Sequence, residues 1–137
     1  MERPVITMNE HGALFVPDSE IWMSEMELTD LFGVIAPTIR AAIRAVYKNG
    51  VLKEHEAQKY IRLGNGYFAD VYDFPMIVAL AFRINSYGAQ QVRNTLLERM
   101  YLRKEKASIF FSLNIDRKTS NLQSNLIENE VLSSLNH

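Results

Sequence analysis

Residues 24–50 read SEMELTDLFGVIAPTIRAAIRAVYKNG and carry the start and end signals of two short helices. Ser24 is followed three residues later by Glu27, and this spacing predicts a capping box that opens the first helix. The apolar residues behind it recur at i, i+3 and i+4, as on one buried helix face. Gly33 supplies the left-handed residue at which a helix commonly ends. A short helix is therefore expected between Ser24 and Gly33.

A second helix is expected almost directly after the first. Pro37 suits its first turn, and Asn49-Gly50 ends it. Arg40, Arg44 and Lys48 recur every four residues and would form a basic stripe beside the buried face. The apolar residues with helical spacing are Ile39, Ala42, Ile43, Val46 and Tyr47. Two short helices joined by a glycine-containing turn, the second basic on its open side, are typical of a helix-turn-helix.

Two β-hairpins are expected to flank this helix pair. The first would join strands 5–8 and 13–16 through a turn that ends at Gly12. The second would join strands 60–63 and 67–72 through Gly64-Asn65-Gly66, a sequence with strong turn chemistry. A hairpin that follows a helix-turn-helix would serve as a wing lying along the backbone of a DNA duplex.

The carboxy-terminal half of the chain is expected to be helical. Asp73 can cap an almost wholly apolar helix over residues 74–82, which belongs in the core together with Trp22. The segment that starts at Arg83 ends this helix, with the arginine near the negative end of the helix dipole and Asn85-Ser86 capping the turn. A long helix then runs from about residue 89 to 106. Its predicted buried positions are Val92, Leu96, Leu97, Met100 and Tyr101.

The fold class predicted from these elements is α+β, a winged-helix-like helix-turn-helix with two short β-hairpins and a long C-terminal helix. Residues 1–106 are expected to form this domain. Residues 107–137 are interpreted as a flexible link and a helix that needs a partner, and the sequence leaves open whether this tail is ordered.

The composition restricts the possible functions. The chain has 137 residues, 47% of them hydrophobic, which is enough to bury one core. It contains no cysteine, which excludes disulfides and thiolate metal sites and, without a secretory signal, favours a cytoplasmic protein. The longest apolar run, near residues 74–82, is too short to span a membrane.

The sequence contains few features of an enzyme or of a metal-binding site. The three histidines, His11, His55 and His137, lack the spacing of metal ligands. No Gly-x-Ser-x-Gly or His-Glu-x-x-His motif occurs. The chain is therefore expected not to be an enzyme and to need no cofactor or metal.

Charge is distributed unevenly along the chain, although the net charge is only −1. Residues 1–35 carry seven acidic side chains and one basic one. Residues 36–62 carry six basic side chains and two acidic ones, and residues 83–106 repeat that balance. A nearly neutral protein with such basic segments can present one basic face to a phosphate backbone.

Several short elements of the sequence match a known family in order and spacing. They are Ile21-Trp22-Met23-Ser24, Leu31-Phe32-Gly33-Val34, Thr38-Ile39, Lys48-Asn49-Gly50-Val51-Leu52, Tyr72, Met76-Ile77, Arg83-Ile84-Asn85-Ser86 and Gln91-Val92-Arg93. Over roughly residues 5–103, the chain resembles the RhuM family of bacterial proteins associated with virulence and mobile elements. The resemblance implies a predicted DNA-binding amino-terminal region and a role in regulation.

The chain departs from this family where the second helix begins. Family members commonly have Ser-Arg-Gln-Thr where this chain has Ile35-Ala36-Pro37-Thr38. The first turn of a recognition helix normally meets base edges, but Ala and Pro offer only apolar contact, for instance with a thymine methyl group.

Two functional hypotheses follow. The first is a DNA-binding transcriptional regulator that acts on double-stranded DNA as a homodimer, with or without sequence specificity. The second is a protein-interaction module that keeps the helix-turn-helix scaffold without base readout, and its motivation is the apolar opening at residues 35–37 together with the apolar positions of the tail. The residues predicted to contact DNA are Thr38, Arg40, Ala41, Arg44, Lys48, Arg62 and Asn65.

Overall fold

A computed structural model describes the backbone of residues 3–115 and the side chains of residues 3–105. Within this part of the chain, five helices and two small antiparallel sheets form a mixed fold, so the α+β class and the two hairpins are confirmed. In chain order the elements are β1 (Thr7–Met8), β2 (Leu14–Phe15), β3 (Trp22–Ser24), α1 (Glu25–Phe32), α2 (Ala36–Lys48), α3 (Glu54–Ala57), β4 (Gln58–Arg62), β5 (Phe68–Asp73), α4 (Phe74–Ala81) and α5 (Tyr87–Ile115).

The helix pair begins and ends as the sequence predicts. The Ser24 hydroxyl accepts a hydrogen bond from the Glu27 backbone amide at 3.3 Å, and the Glu27 carboxylate accepts one from the Ser24 amide at 2.8 Å. Arg3 extends this capping box by donating to the same carboxylate oxygen at 2.8 Å. Gly33 ends α1 with a φ of 64°, a left-handed conformation that glycine adopts at little cost. Residues 33–35, including this glycine, connect α1 to α2.

The larger sheet has the strand order β3-β5-β4. The hairpin β4–β5 is present as predicted, with Arg62 paired to Phe68 beside the turn. The sequence gives no sign of β3, which pairs with β5 so that Met23 faces Tyr72. This long-range pairing fixes the start of α1 to the base of the hairpin. Helix α3, a single turn between α2 and β4, is also absent from the elements that the sequence predicts.

The core lies between the helix pair and α4. Helix α4 is capped by Asp73, whose carboxylate accepts from the Met76 amide at 3.0 Å, and its buried face confirms the predicted central position. Burial raises the pKa of Asp73, although two backbone hydrogen bonds oppose this effect. The largest fully buried side chains are Phe32, Met23, Leu28, Ile39, Met76, Ile77, Leu80, Val46 and Val71.

Trp22 is only half-buried, so its predicted place in the core is wrong. Its indole nitrogen donates to Glu20 at 2.8 Å. The Lys59 ammonium lies 4.1 Å from the centre of the ring, at the distance of a cation–π contact. Trp22 therefore joins two outer strands, one on each side of β5.

The start of α5 packs very closely on the end of α1. A Cβ atom added to Gly88 would overlap the Leu31 carbonyl oxygen and lie 2.7 Å from the Phe32 Cα atom. Ser86 caps α5 by accepting from the Ala89 amide at 3.1 Å, and its hydroxyl donates to the Phe32 carbonyl at 2.7 Å. The sequence assigns Ser86 to the turn that ends α4, but in the structure its hydroxyl caps the start of α5.

Arg93 binds carbonyl groups at the end of α4 and in the turn that follows it. Its guanidinium donates to the carbonyl oxygens of Ala81 and Ile84 at 2.6 and 2.9 Å. Arg83 follows α4 in the adjacent turn and is exposed, whereas the arginine that donates to these carbonyl groups comes from the next helix. Charged donors of this kind strengthen a hydrogen bond to a carbonyl.

The chain divides into a compact unit, Met1–Asn94, and a second unit that begins at Thr95 within α5. Val92 is buried, but Leu97 and Tyr101 are exposed by 47% and 60%, so their predicted burial is wrong. Helix α5 continues to Ile115, past the predicted domain boundary at residue 106, which stays a prediction. The tail helix expected beyond it lies outside the described residues. Among the described helices, none is both long and apolar enough to cross a membrane.

Candidate nucleic-acid interface

Helix α2 buries one side and exposes the other. The buried side is formed by Ile39, Ala42, Ile43 and Val46, as the periodicity predicts. Every residue of α2 that the sequence assigns to DNA contact is exposed to solvent. These residues are Thr38, Arg40, Ala41, Arg44 and Lys48. The open side of α2 therefore carries three cations on a helix that the core holds rigidly.

The three cations of α2 differ in their surroundings. Arg40 forms a salt bridge with Glu25 of α1 at 3.1 Å, and the two side chains are 53% and 35% exposed. Within residues 3–105, neither Arg44 nor Lys48 has a carboxylate oxygen within 4.0 Å. An exposed salt bridge of this kind contributes little to stability, but it lowers the positive charge that Arg40 offers to an anion. Arg44 and Lys48 keep their full charge.

A hydrogen bond joins α2 to the base of the β4–β5 hairpin. The Tyr47 hydroxyl donates to the Gln58 side-chain oxygen at 2.8 Å. Tyr72 pairs with Gln58 across the hairpin. Its pKa is raised mainly by burial and further by the negative charges of Asp70, Glu25 and Glu54. Burial also raises the pKa of Tyr47 far above its ordinary value. Both phenols therefore stay neutral at physiological pH.

A shallow groove of about 240 Å³ separates α2 from the hairpin base. Arg40 and Arg44 stand on its α2 side, and Glu54 of α3 stands on the other. A carboxylate in the groove repels phosphate. Arg44 shares the groove with this carboxylate, whereas Lys48 does not line the groove and is exposed at the end of α2.

The hairpin turn brings Arg62 and Asn65 to its tip. The Leu63 amide donates to the Tyr67 carbonyl at 2.7 Å and closes the turn. The Asn65 carboxamide oxygen accepts from the Tyr67 amide at 3.0 Å, so this side chain has a structural role, and its NH₂ group has no hydrogen-bond partner among the described residues. The Arg62 guanidinium lies beside Gly66, 3.8 Å from the position a Cβ would take there. Both predicted contact residues are exposed.

The sequence did not identify two aromatic residues of the hairpin as surface residues. Tyr60 and Phe68 are 68% and 56% exposed, and their rings stack with centroids 5.4 Å apart and planes 15° from parallel. Aromatic residues in a strand usually indicate side chains that pack against neighbouring residues. Successive side chains of β4 point to opposite faces of the sheet, so Tyr60 and Ile61 lie on different faces. Which of these two faces is covered near the turn depends on the position of α2.

Comparison with protein-family models, with curated proteins and with solved structures gives no match. The resemblance to the RhuM family therefore stays a prediction. In the described part of the chain, no group of three His, Cys, Asp or Glu side chains could hold a metal ion.

Proposed function

We propose that this protein binds double-stranded DNA through a winged helix-turn-helix formed by α1, α2 and the β4–β5 hairpin. The observation that carries the proposal is the exposure of Arg44 and Lys48 on the open side of α2, without a carboxylate partner among residues 3–105. In this arrangement α2 enters the major groove, and Arg62 at the hairpin tip contacts the neighbouring backbone.

The order of the elements supports this proposal. Strand β3, helices α1 and α2, the single-turn helix α3 and the β4–β5 hairpin follow one another, and β3 pairs with β5, the last strand of the hairpin. This pairing holds the hairpin beside the second helix, where a wing must lie in order to touch the same duplex. The hydrogen bond between Tyr47 and Gln58 holds the two parts together at their base.

The first turn of α2 favours phosphate contact over base readout. Thr38 offers a single hydroxyl, and Ala41 offers only a methyl group that suits thymine. Phosphate contacts position a protein but carry no sequence information directly. The proposal is therefore a DNA-binding protein with weak base preference, and regulation of transcription at a mobile element is a role consistent with the family resemblance.

A salt titration of duplex binding tests the proposal. If Arg44, Lys48 and Arg62 each neutralise one phosphate, log K should fall with log[salt] with a slope of about −2.7. Fluorescence anisotropy with a labelled duplex measures this slope directly. Failure to detect salt-sensitive binding at low ionic strength would reject the proposal.

Removal of the Glu25 carboxylate should add a fourth phosphate contact. Glu25→Gln frees Arg40 from its salt bridge, so the slope should steepen by about 0.9 and reach about −3.6. Asp30→Asn is the matched control, because Asp30 is an exposed carboxylate of the same helix without a salt bridge among the described residues. Equal slopes for the two variants would show that Arg40 does not bind phosphate when it is freed.

Protein interaction is a second candidate function, favoured by the exposed apolar entrance to α2. Ile35 precedes the helix and is 69% exposed, and Met26 of α1 is 74% exposed. Exposed apolar side chains at this point suit a protein partner or a second copy of the chain. Ile35→Ser would then weaken association measured by light scattering and leave the salt slope of duplex binding unchanged.

A further inference from the structure

One face of the β4–β5 hairpin continues the surface of α2. Residues paired across an antiparallel ladder share a face, and the faces alternate along each strand. The face that includes Gln58 is bound to α2 at its base through Tyr47. Towards the turn it is uncovered. In the observed register its residues are Gln58 and Tyr72, Tyr60 and Asp70, and Arg62 and Phe68.

We propose that Tyr60 and Phe68 form a stacking platform for an unpaired base, so that the protein prefers DNA containing unpaired or extruded bases. This inference rests on the proposed DNA-binding function and names the kind of DNA that the site selects. The platform is the pair of stacked rings on the hairpin face that continues from α2.

The geometry of the two rings favours a third planar group. Their planes are nearly parallel, and both side chains expose more than half of their surface. Exposed aromatic surface is unfavourable in water, and a nucleobase covers it without a directional requirement, because every base has a π-face. A stacked pair that is already in place loses little conformational freedom when a base is added.

The charged residues of the same face attract phosphate at one point and repel it at another. Arg62 lies opposite Phe68 and offers a guanidinium near the tip of the hairpin. Asp70 lies opposite Tyr60, where its exposed carboxylate repels phosphate. A carboxylate can instead accept a hydrogen bond from the amino group of cytosine. The aromatic pair is thus suited to the base of a nucleotide whose phosphate binds Arg62.

A second copy of the chain is the competing occupant of this face. Addition of a strand along β4, the edge of the sheet, would bring a partner against Tyr60. Lys59 and Arg62 on this short strand disfavour such pairing, because charged side chains are a common protection of sheet edges. Nucleic acid is therefore the occupant that we favour.

The experiment compares two labelled DNA probes by anisotropy, a fully paired duplex and the same duplex with a central bubble of unpaired cytidines. The wild-type protein should bind the bubble more tightly. Tyr60→Ala combined with Phe68→Ala should reduce bubble affinity by about 5-fold to 150-fold and leave duplex affinity unchanged. Tyr60→Phe keeps the ring and should retain the preference. Phe15→Ala, which removes an exposed ring from β2, is the control.

The other possible results distinguish failure of the platform from failure of the proposed function and from self-association. Equal binding of both probes, or a bubble preference that survives the double alanine variant, overturns the platform and leaves duplex binding intact. Binding to neither probe overturns the proposed function together with the platform. If the double variant also changes a dimer into a monomer by light scattering, and both affinities fall together, the face is an interface between copies and the platform is rejected.

Discussion

Gly88→Ala is expected to lower the free energy of unfolding by about 3 kcal/mol, at the upper end of the usual cost of overpacking. The new Cβ atom would overlap the backbone of Leu31 and Phe32, which cannot move aside as a flexible side chain could. Helix propensity alone predicts the opposite sign, because alanine in a helix is about 1 kcal/mol more favourable than glycine. Urea denaturation followed by circular dichroism measures the difference.

Gly64→Ala provides the matched control for this substitution. No atom lies within 4 Å of a Cβ built at Gly64, and this residue is not among the glycines with positive φ. Its replacement should change stability by less than about 0.5 kcal/mol, as for most surface positions. If Gly88→Ala proved as stable as this control, α5 could not lie against α1 as described.

The largest functional effect is expected from reversing the two cations of α2 that have no carboxylate partner among residues 3–105. Arg44→Glu combined with Lys48→Glu should reduce duplex affinity by at least about 100-fold at low salt and make the salt slope shallower by about 1.8. Both side chains are exposed, so the melting temperature should stay close to that of the wild type. Anisotropy and thermal denaturation of the same preparation separate the two effects.

Arg83→Glu combined with Arg99→Glu controls for net charge. Both residues are exposed and lie outside α2 and the hairpin, and the change in formal charge is the same. A loss of affinity as large as that of the α2 variant would mean that overall charge governs binding. The proposed interface requires the control to retain most of its affinity.

Local signals predicted much of the fold because the interactions behind them are local. The capping box at Ser24, the end of α1 at Gly33 and the cap at Asp73 each involve residues close together in the chain. The turn at Gly64-Asn65-Gly66 is of the same kind. The pairing of β3 with β5 was missed because its partners are distant in sequence, as Ser24 and Val71 show.

The candidate site was predicted in part for the same reason. Helical periodicity is enough to place Arg44 and Lys48 on the open side of α2. It cannot show that Glu25 lies beside Arg40, because that salt bridge depends on the angle between α1 and α2. The exposure of Tyr60 and Phe68 depends on how far α2 covers the hairpin face, which no pattern within β4 or β5 records.

The sequence by itself determined where α1 and α2 begin and end, where α4 is capped, which side of α2 is buried and where the second hairpin turns, since each depends on neighbours a few residues away. Only the tertiary structure shows which cation of α2 forms a salt bridge and which aromatic rings are exposed to solvent. It also shows that no side chain fits at position 88. These properties depend on distances between elements that are remote in the chain. Such distances are set by the packing of the whole core and not by any one segment.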